Sequence, residues 1–114
     1  MREFDLEKRT TEFARGVIQL CKSLARSPIN DRLTGQVVGS AGSVGANYRE
    51  ANDALGKKDF LLRVKTARKE AKETLHWLEC LIEANPGFKN ELLEIIQETT
   101  EVKNIFSSII NKSQ

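Results

Sequence analysis

Histidine, tryptophan and tyrosine each occur once in this 114-residue chain, and cysteine and proline twice each. With His76 as the single imidazole, a histidine-based metal cluster cannot form. Cys21 and Cys80 lie in separate helical segments and make no CxxC, which argues against a disulfide framework and for a reducing cytoplasm. No stretch approaches the roughly 18 uninterrupted apolar residues of a membrane span. Met1 is followed by Arg-Glu-Phe-Asp-Leu-Glu-Lys-Arg, without the apolar run of a secretion signal, so a cytoplasmic protein with no membrane partner is expected. Strand signals are scarce too, with no Asn-Gly or Asp-Gly turn and no sustained period-two alternation. The net charge is only +2. That excludes a global polycation but leaves room for a local basic patch.

What is present is helical periodicity. Phe13, Val17, Leu20 and Leu24 recur at intervals of four and three residues. Phe60, Val64, Ala67, Ala71, Thr74, Leu78 and Leu81 do the same, as do Phe88, Leu92, Ile95, Thr99, Val102, Phe106 and Ile109. Alternation sustained this long keeps one seam facing a neighbour and implies near-parallel packing of long helices. The breaks are Ser27-Pro28, a capping hydroxyl before a proline at the first helical position, then Gly56, then Asn85-Pro86-Gly87. The pattern predicts one all-α domain over 1–114, with helices near 6–26, 28–54, 57–84 and 89–111. Short connections make consecutive helices antiparallel neighbours, giving an up-down four-helix bundle.

The second helix is unusual. Leu33 to Tyr48 (LTGQVVGSAGSVGANY) holds no charged residue, whereas a surface helix normally carries charge on its solvent face. At about 100° per residue, Leu33, Val37, Ser40, Val44, Tyr48 and Ala51 share a core face. Gly35, Gly39, Gly42 and Ala46 share a roughly opposite one. Each interior glycine costs about 1 kcal/mol of helix stability relative to alanine, so the stripe needs a reason. Close approach of another copy of the chain supplies one, with Gln36, Ser43 and Asn47 as hydrogen-bonding groups beside it. The competing reading breaks the helix into a loop at these glycines. Gly39, Gly42 and Gly45 form GxxGxxG rather than GxGxxG, with no preceding strand and no Gly-Lys-Ser/Thr, so a nucleotide loop is not expected.

The third helix carries the charge signal. Seven of the eighteen basic residues fall between Lys57 and Lys72, against only Asp59 and Glu70. Lys57, Lys58, Lys65, Arg68, Lys69 and Lys72 lie within an arc of about 120°, and Arg63 points elsewhere. Such a stripe is the footprint of a phosphate-backbone binder, of RNA or DNA. The plain alternative is a solvated face with i,i+4 pairs, or pairing with Glu91, Glu94, Glu98 and Glu101 of the last helix. No aromatics interleave the stripe, so recognition would be of backbone and shape.

Chemistry-bearing groups do not assemble. His76 and Cys80 have the spacing of half a zinc site but lack further ligands. Glu73-Thr-Leu-His76 is one Glu-x-x-His pair where a di-metal bundle needs two. Trp77 and Tyr48 read as packing or interface anchors. No catalytic residue, metal or cofactor is expected.

Several segments together resemble a bacterial family of four-helix-bundle proteins, the 23S rRNA-intervening sequence proteins, encoded within large-subunit ribosomal RNA genes. They are Asp5-Leu6, Arg9-Thr10, Phe13-Ala14, Val17-Ile18 and Leu20; Gln36-Val-Val-Gly-Ser40-Ala41, Ser43-Val44-Gly45-Ala46-Asn47-Tyr48 and Glu50-Ala51; and Asp59-Phe60, Ala67, Lys69-Glu70-Ala71, Glu73-Thr74 and Trp77-Leu78. Gly39 stands where that family commonly has arginine, Gly56 where it has a capping serine, and His76 where a large side chain is frequent. The resemblance implies a left-handed up-down bundle assembling into homopentameric rings. It also implies kinship with the accessory variability protein of diversity-generating retroelements, which binds nucleic acid and a reverse transcriptase through a basic surface. Two functions fit these features. One is a non-enzymatic, homo-oligomeric nucleic-acid-binding scaffold, and the other a protein-interaction adaptor with no nucleic-acid role.

Overall fold

The computed structural model describes residues 5–114. Met1 to Phe4, included in the expected domain and in the reading of the N-terminus, lie outside the described residues. Four long helices follow one another: α1 (Leu6–Ser23), α2 (Pro28–Asn52), α3 (Lys57–Ala84) and α4 (Lys89–Ser113), the last entered through a 3-10 turn at Pro86–Phe88. Local chemistry sets their starts. Asp5 Oδ1 accepts from the Lys8 N–H at 3.2 Å, and Ser27 Oγ accepts from the Asn30 N–H at 3.0 Å with Pro28 behind it. Both satisfy amide groups that a helix start leaves without an internal partner. Gly56 opens α3 with no side-chain cap.

Cross-helix pairs give the directions. Glu7 meets Arg49 and Thr10 lies against Gly45, so α2 runs antiparallel to α1. Asn30 meets Asn85, Ser40 meets Thr74 and Glu50 meets Arg63, so α3 runs antiparallel to α2. Arg68 reaches Ser107 across α3 and α4, and Phe60 and Lys57 lie near Lys112 at one end. Arg9 reaches Glu98 and Glu101, closing the ring between α1 and α4. The result is the up-down bundle expected, 44 × 27 × 19 Å in extent.

The seams read from the sequence form the core. Phe13, Val17, Leu24, Val37, Val44, Ala51, Val64, Ala67, Ala71, Leu78, Leu81, Leu92, Val102 and Phe106 are buried. Tyr48 of α2 packs on Phe106 of α4 with ring centroids 5.8 Å apart. At the end of α4, Ile110 is buried where the heptad pointed to Ile109, which is half-buried. A straight helix drifts about 20° per heptad, so the seam slips by one residue along its length. The first helix also stops at Ser23, three residues early. The residue before Pro28 is disfavoured in helical conformation, and Ser27 is extended at φ −164°.

Five polar side chains are buried: Thr10, Asn30, Ser40, Thr74 and Thr99. The threonines donate to carbonyls one turn back in their own helices. Ser40 and Thr74 share a hydrogen bond of 2.9 Å, and Asn30 and Asn85 exchange two, each of 2.9 Å.

Candidate functional site

α2 is one unbroken helix through all its glycines, which removes the loop alternative. Leu33, Val37, Ser40, Val44, Tyr48 and Ala51 turn inward as expected. Gly35, Gly39, Gly42 and Ala46 lie on the outer surface together with Gln36, while Ser43 and Asn47 are half-buried toward α3. A methyl group placed on Gly35, Gly39 or Gly42 would meet nothing within 4 Å. Within one subunit, therefore, nothing requires glycine there. Asn47 donates to the Ser43 carbonyl of its own helix at 2.9 Å. An open groove of about 560 Å³ between α1 and α2 adjoins this face, lined by Ile18, Cys21, Thr34, Gly35 and Val38, with Lys22, Arg26 and Asp31 also on its walls.

Gly45 is different, and the sequence reading missed it. A methyl at Gly45 would sit 2.9 Å from Thr10 Oγ1 and 3.2 Å from Thr10 Cβ. This glycine lets α1 and α2 approach closely. The hydroxyl it faces is held by the Leu6 and Glu7 carbonyls.

On α3, Lys57, Lys58, Lys65, Lys69 and Lys72 are exposed and Arg68 is half-buried. Among the described residues, no carboxylate lies within salt-bridge distance of any of the six. Pairing with the acidic last helix does not occur, because α4 presents two different sides. Its carboxylates turn toward α1: Arg9 Nε and Nη2 donate to Glu98 at 2.8 Å each, and Nη2 also reaches Glu101 at 2.8 Å. These bonds hold the Arg9 guanidinium firmly charged. Its opposite side faces α3, where Arg68 donates to Ser107 Oγ at 3.3 Å. One turn from Ser107, the half-buried Lys103 comes level with Lys72 and joins the basic face. That cation was not anticipated, because its place depends on the register between two helices. Arg63 turns away, as expected, to Glu50 at 3.6 Å.

Glu70 sits on the flank toward α2, its pKa raised by burial and then by Glu73, against the pull of Lys69. His76 Nε2 and Cys80 Sγ are 3.9 Å apart on the exposed side of α3. No three histidine, cysteine, aspartate or glutamate side chains gather as a metal site among the described residues. Cys21 and Cys80 are half-buried free thiols, and burial pushes the Cys21 thiol up. Trp77 is half-buried against the core, its ring edge-on to His76 at 4.7 Å.

Residues 2–108 match the family of 23S rRNA-intervening sequence proteins. The chain belongs to this family. A similar solved structure is the 1.70 Å crystal structure of a protein of unknown function from the S23 ribosomal protein family of Bacteroides thetaiotaomicron. It is 33% identical, with 93% of this chain and 98% of that one covered and a TM-score of 0.81. Comparison with curated proteins finds no match. The structural likeness agrees with the four-helix architecture described above. Among the described residues no helix is long and apolar enough to cross a membrane.

Proposed function

We propose that the protein is a non-enzymatic, self-assembling scaffold that binds the phosphate backbone of RNA or DNA through α3. One observation carries this reading: among the described residues, six cationic side chains on one side of α3 have no carboxylate partner, while Glu98 and Glu101 of the adjoining helix are turned to Arg9. Unpaired cations in a row raise the local potential and release counterions when phosphates replace them. Self-assembly is supported by the outer side of α2, uncharged and glycine-lined, continuous with the groove holding Ile18, which is 41% exposed. The family resemblance makes five subunits the expected number, which would repeat the basic face around a ring.

The test is a charge reversal. Changing Lys65, Arg68, Lys69 and Lys72 to glutamate should abolish RNA and DNA binding and leave subunit assembly and helicity intact. Undiminished binding by that variant would remove the basic face from the proposal. Affinity for the parent should fall steeply with salt.

A second reading, a protein-interaction adaptor, is favoured by Leu55, wholly exposed between α2 and α3, and by Leu62, 60% exposed on α3 itself. Capture of a defined partner that survives nuclease treatment and is lost with Leu55→Ser and Leu62→Ser would favour it over the first. A reverse transcriptase is the partner the family resemblance suggests trying.

A further inference from the structure

We infer that the basic face takes double-stranded nucleic acid, laid across α3 near its N-terminal end, without reading base sequence. This rests on the nucleic-acid reading above and narrows it to one class of ligand.

Lys58, Lys65 and Lys72 recur every seven residues, hence about 10.5 Å apart along the axis. Beyond Lys72 the same side of α3 carries Glu79 and Glu83, both exposed, roughly 10 and 16 Å further along. A polyanion running the length of α3 would meet these carboxylates. One crossing it between Lys57 and Lys72 meets no carboxylate, only the cations, the exposed Leu62 at their edge, and Lys103 and Ser107 of α4.

The chemistry of the face points the same way. Single strands are held by runs of aromatic side chains on which successive bases stack, and among the described residues this face offers only one ring, the exposed imidazole of His76 one turn beyond Lys72. Phe60 packs against the core, Tyr48 lies on Phe106, and Trp77 projects roughly 140° around α3 from the centre of the stripe. Counterion release remains as the driving force. It amounts to about 0.9 ion per phosphate on a duplex and about 0.7 on a single strand, so a purely cationic surface prefers the duplex. Base readout has little to work with, because Arg68, the one guanidinium of the face, donates to Ser107. The lysines contribute point charges without the planar fork that recognises guanine.

Fluorescence anisotropy on the full chain tests this directly. The probes are labelled DNA and RNA duplexes of two unrelated sequences, with oligo-dT and oligo-rU of equal length. Duplexes should bind at least about fivefold more tightly than the single strands, with the two sequences alike to within about twofold. The tighter of the DNA and RNA duplexes then names the source. Equal or tighter binding to oligo-dT or oligo-rU would overturn the inference while the broader nucleic-acid reading stands, and no binding to any probe would end both. In the double variant Glu79→Lys, Glu83→Lys the new charges lie off the crossing path by about a Debye length or more, so duplex affinity should change by no more than about twofold. A several-fold rise would place the duplex along α3 and overturn the crossing arrangement.

Discussion

Replacing Gly35, Gly39 and Gly42 together by alanine should move two properties of the protein in opposite directions. All three sit in the interior of α2, on its outer side, with open space where each new methyl would go. Within a subunit the only effect left is the backbone. Alanine surpasses glycine by about 1 kcal/mol at an exposed interior helix position, so the three sites sum to about 3 kcal/mol of added stability. For a domain of this size that raises the melting temperature by on the order of 10 °C. If a second subunit packs its backbone against the stripe, the same three methyls fall between two helices and hold them apart. Overpacking of that kind costs about 1–3 kcal/mol per contact, enough to weaken association many-fold. The measurements are thermal unfolding of dilute protein and sedimentation velocity over a concentration series. The expected pair of results is a more stable subunit and a smaller assembly. A variant that melts higher yet assembles as the parent does would refute packing through this stripe. One that melts lower would refute the statement that nothing within the subunit occupies that space.

Gly45→Ala should do the reverse, lowering stability by about 1–2 kcal/mol because its methyl meets a Thr10 hydroxyl that two carbonyls hold in place. Thr10→Ala in the same chain should recover part of that loss, read as a non-additive double-mutant cycle in chemical denaturation. Gly56→Ser should stabilise the chain by a few tenths of a kcal/mol in the same assay, since Gly56 is already extended at φ −169° and α3 has no side-chain cap. Arg9→Ala should cost about 1 kcal/mol at neutral pH, the part-exposed setting keeping the loss modest. Its pH dependence has a definite sign. Glu101 has its pKa lowered in the folded state, by the Gln97 hydrogen bond first and then by Arg9. Its contribution is therefore present above the ordinary carboxylate pKa and lost as pH falls through the depressed one. The acid limb of the stability profile should be shallower in Arg9→Ala than in the parent, and an identical limb would refute the assignment.

The architecture was legible because each helix keeps its own apolar seam, and a seam is a local property. Phe13, Val64, Leu78, Val102 and Phe106 could be placed from spacing alone, as could the Ser27-Pro28 start of α2. What was not legible depended on register between helices. Gly45 and Gly42 look alike in the sequence, yet one faces Thr10 and the other open space. Nor does the sequence say that Arg9 rather than α3 holds Glu98 and Glu101. That pairing leaves the lysines of α3 without acidic partners among the described residues, and it needs the 89-residue separation between Arg9 and Glu98 to be closed. Lys103 escaped notice for the same reason.

The paired asparagines at one end of α2 and α3, and the serine–threonine bond midway, have a mechanical consequence. Sliding either helix by one turn would strand these polar atoms in an apolar interior, so the two move as a single stiff plate. Its two edges differ, one bare and neutral, the other cationic. Contact made along the neutral edge would thus set the pitch at which charges repeat from one subunit to the next, much as the teeth of a gear are spaced by its hub.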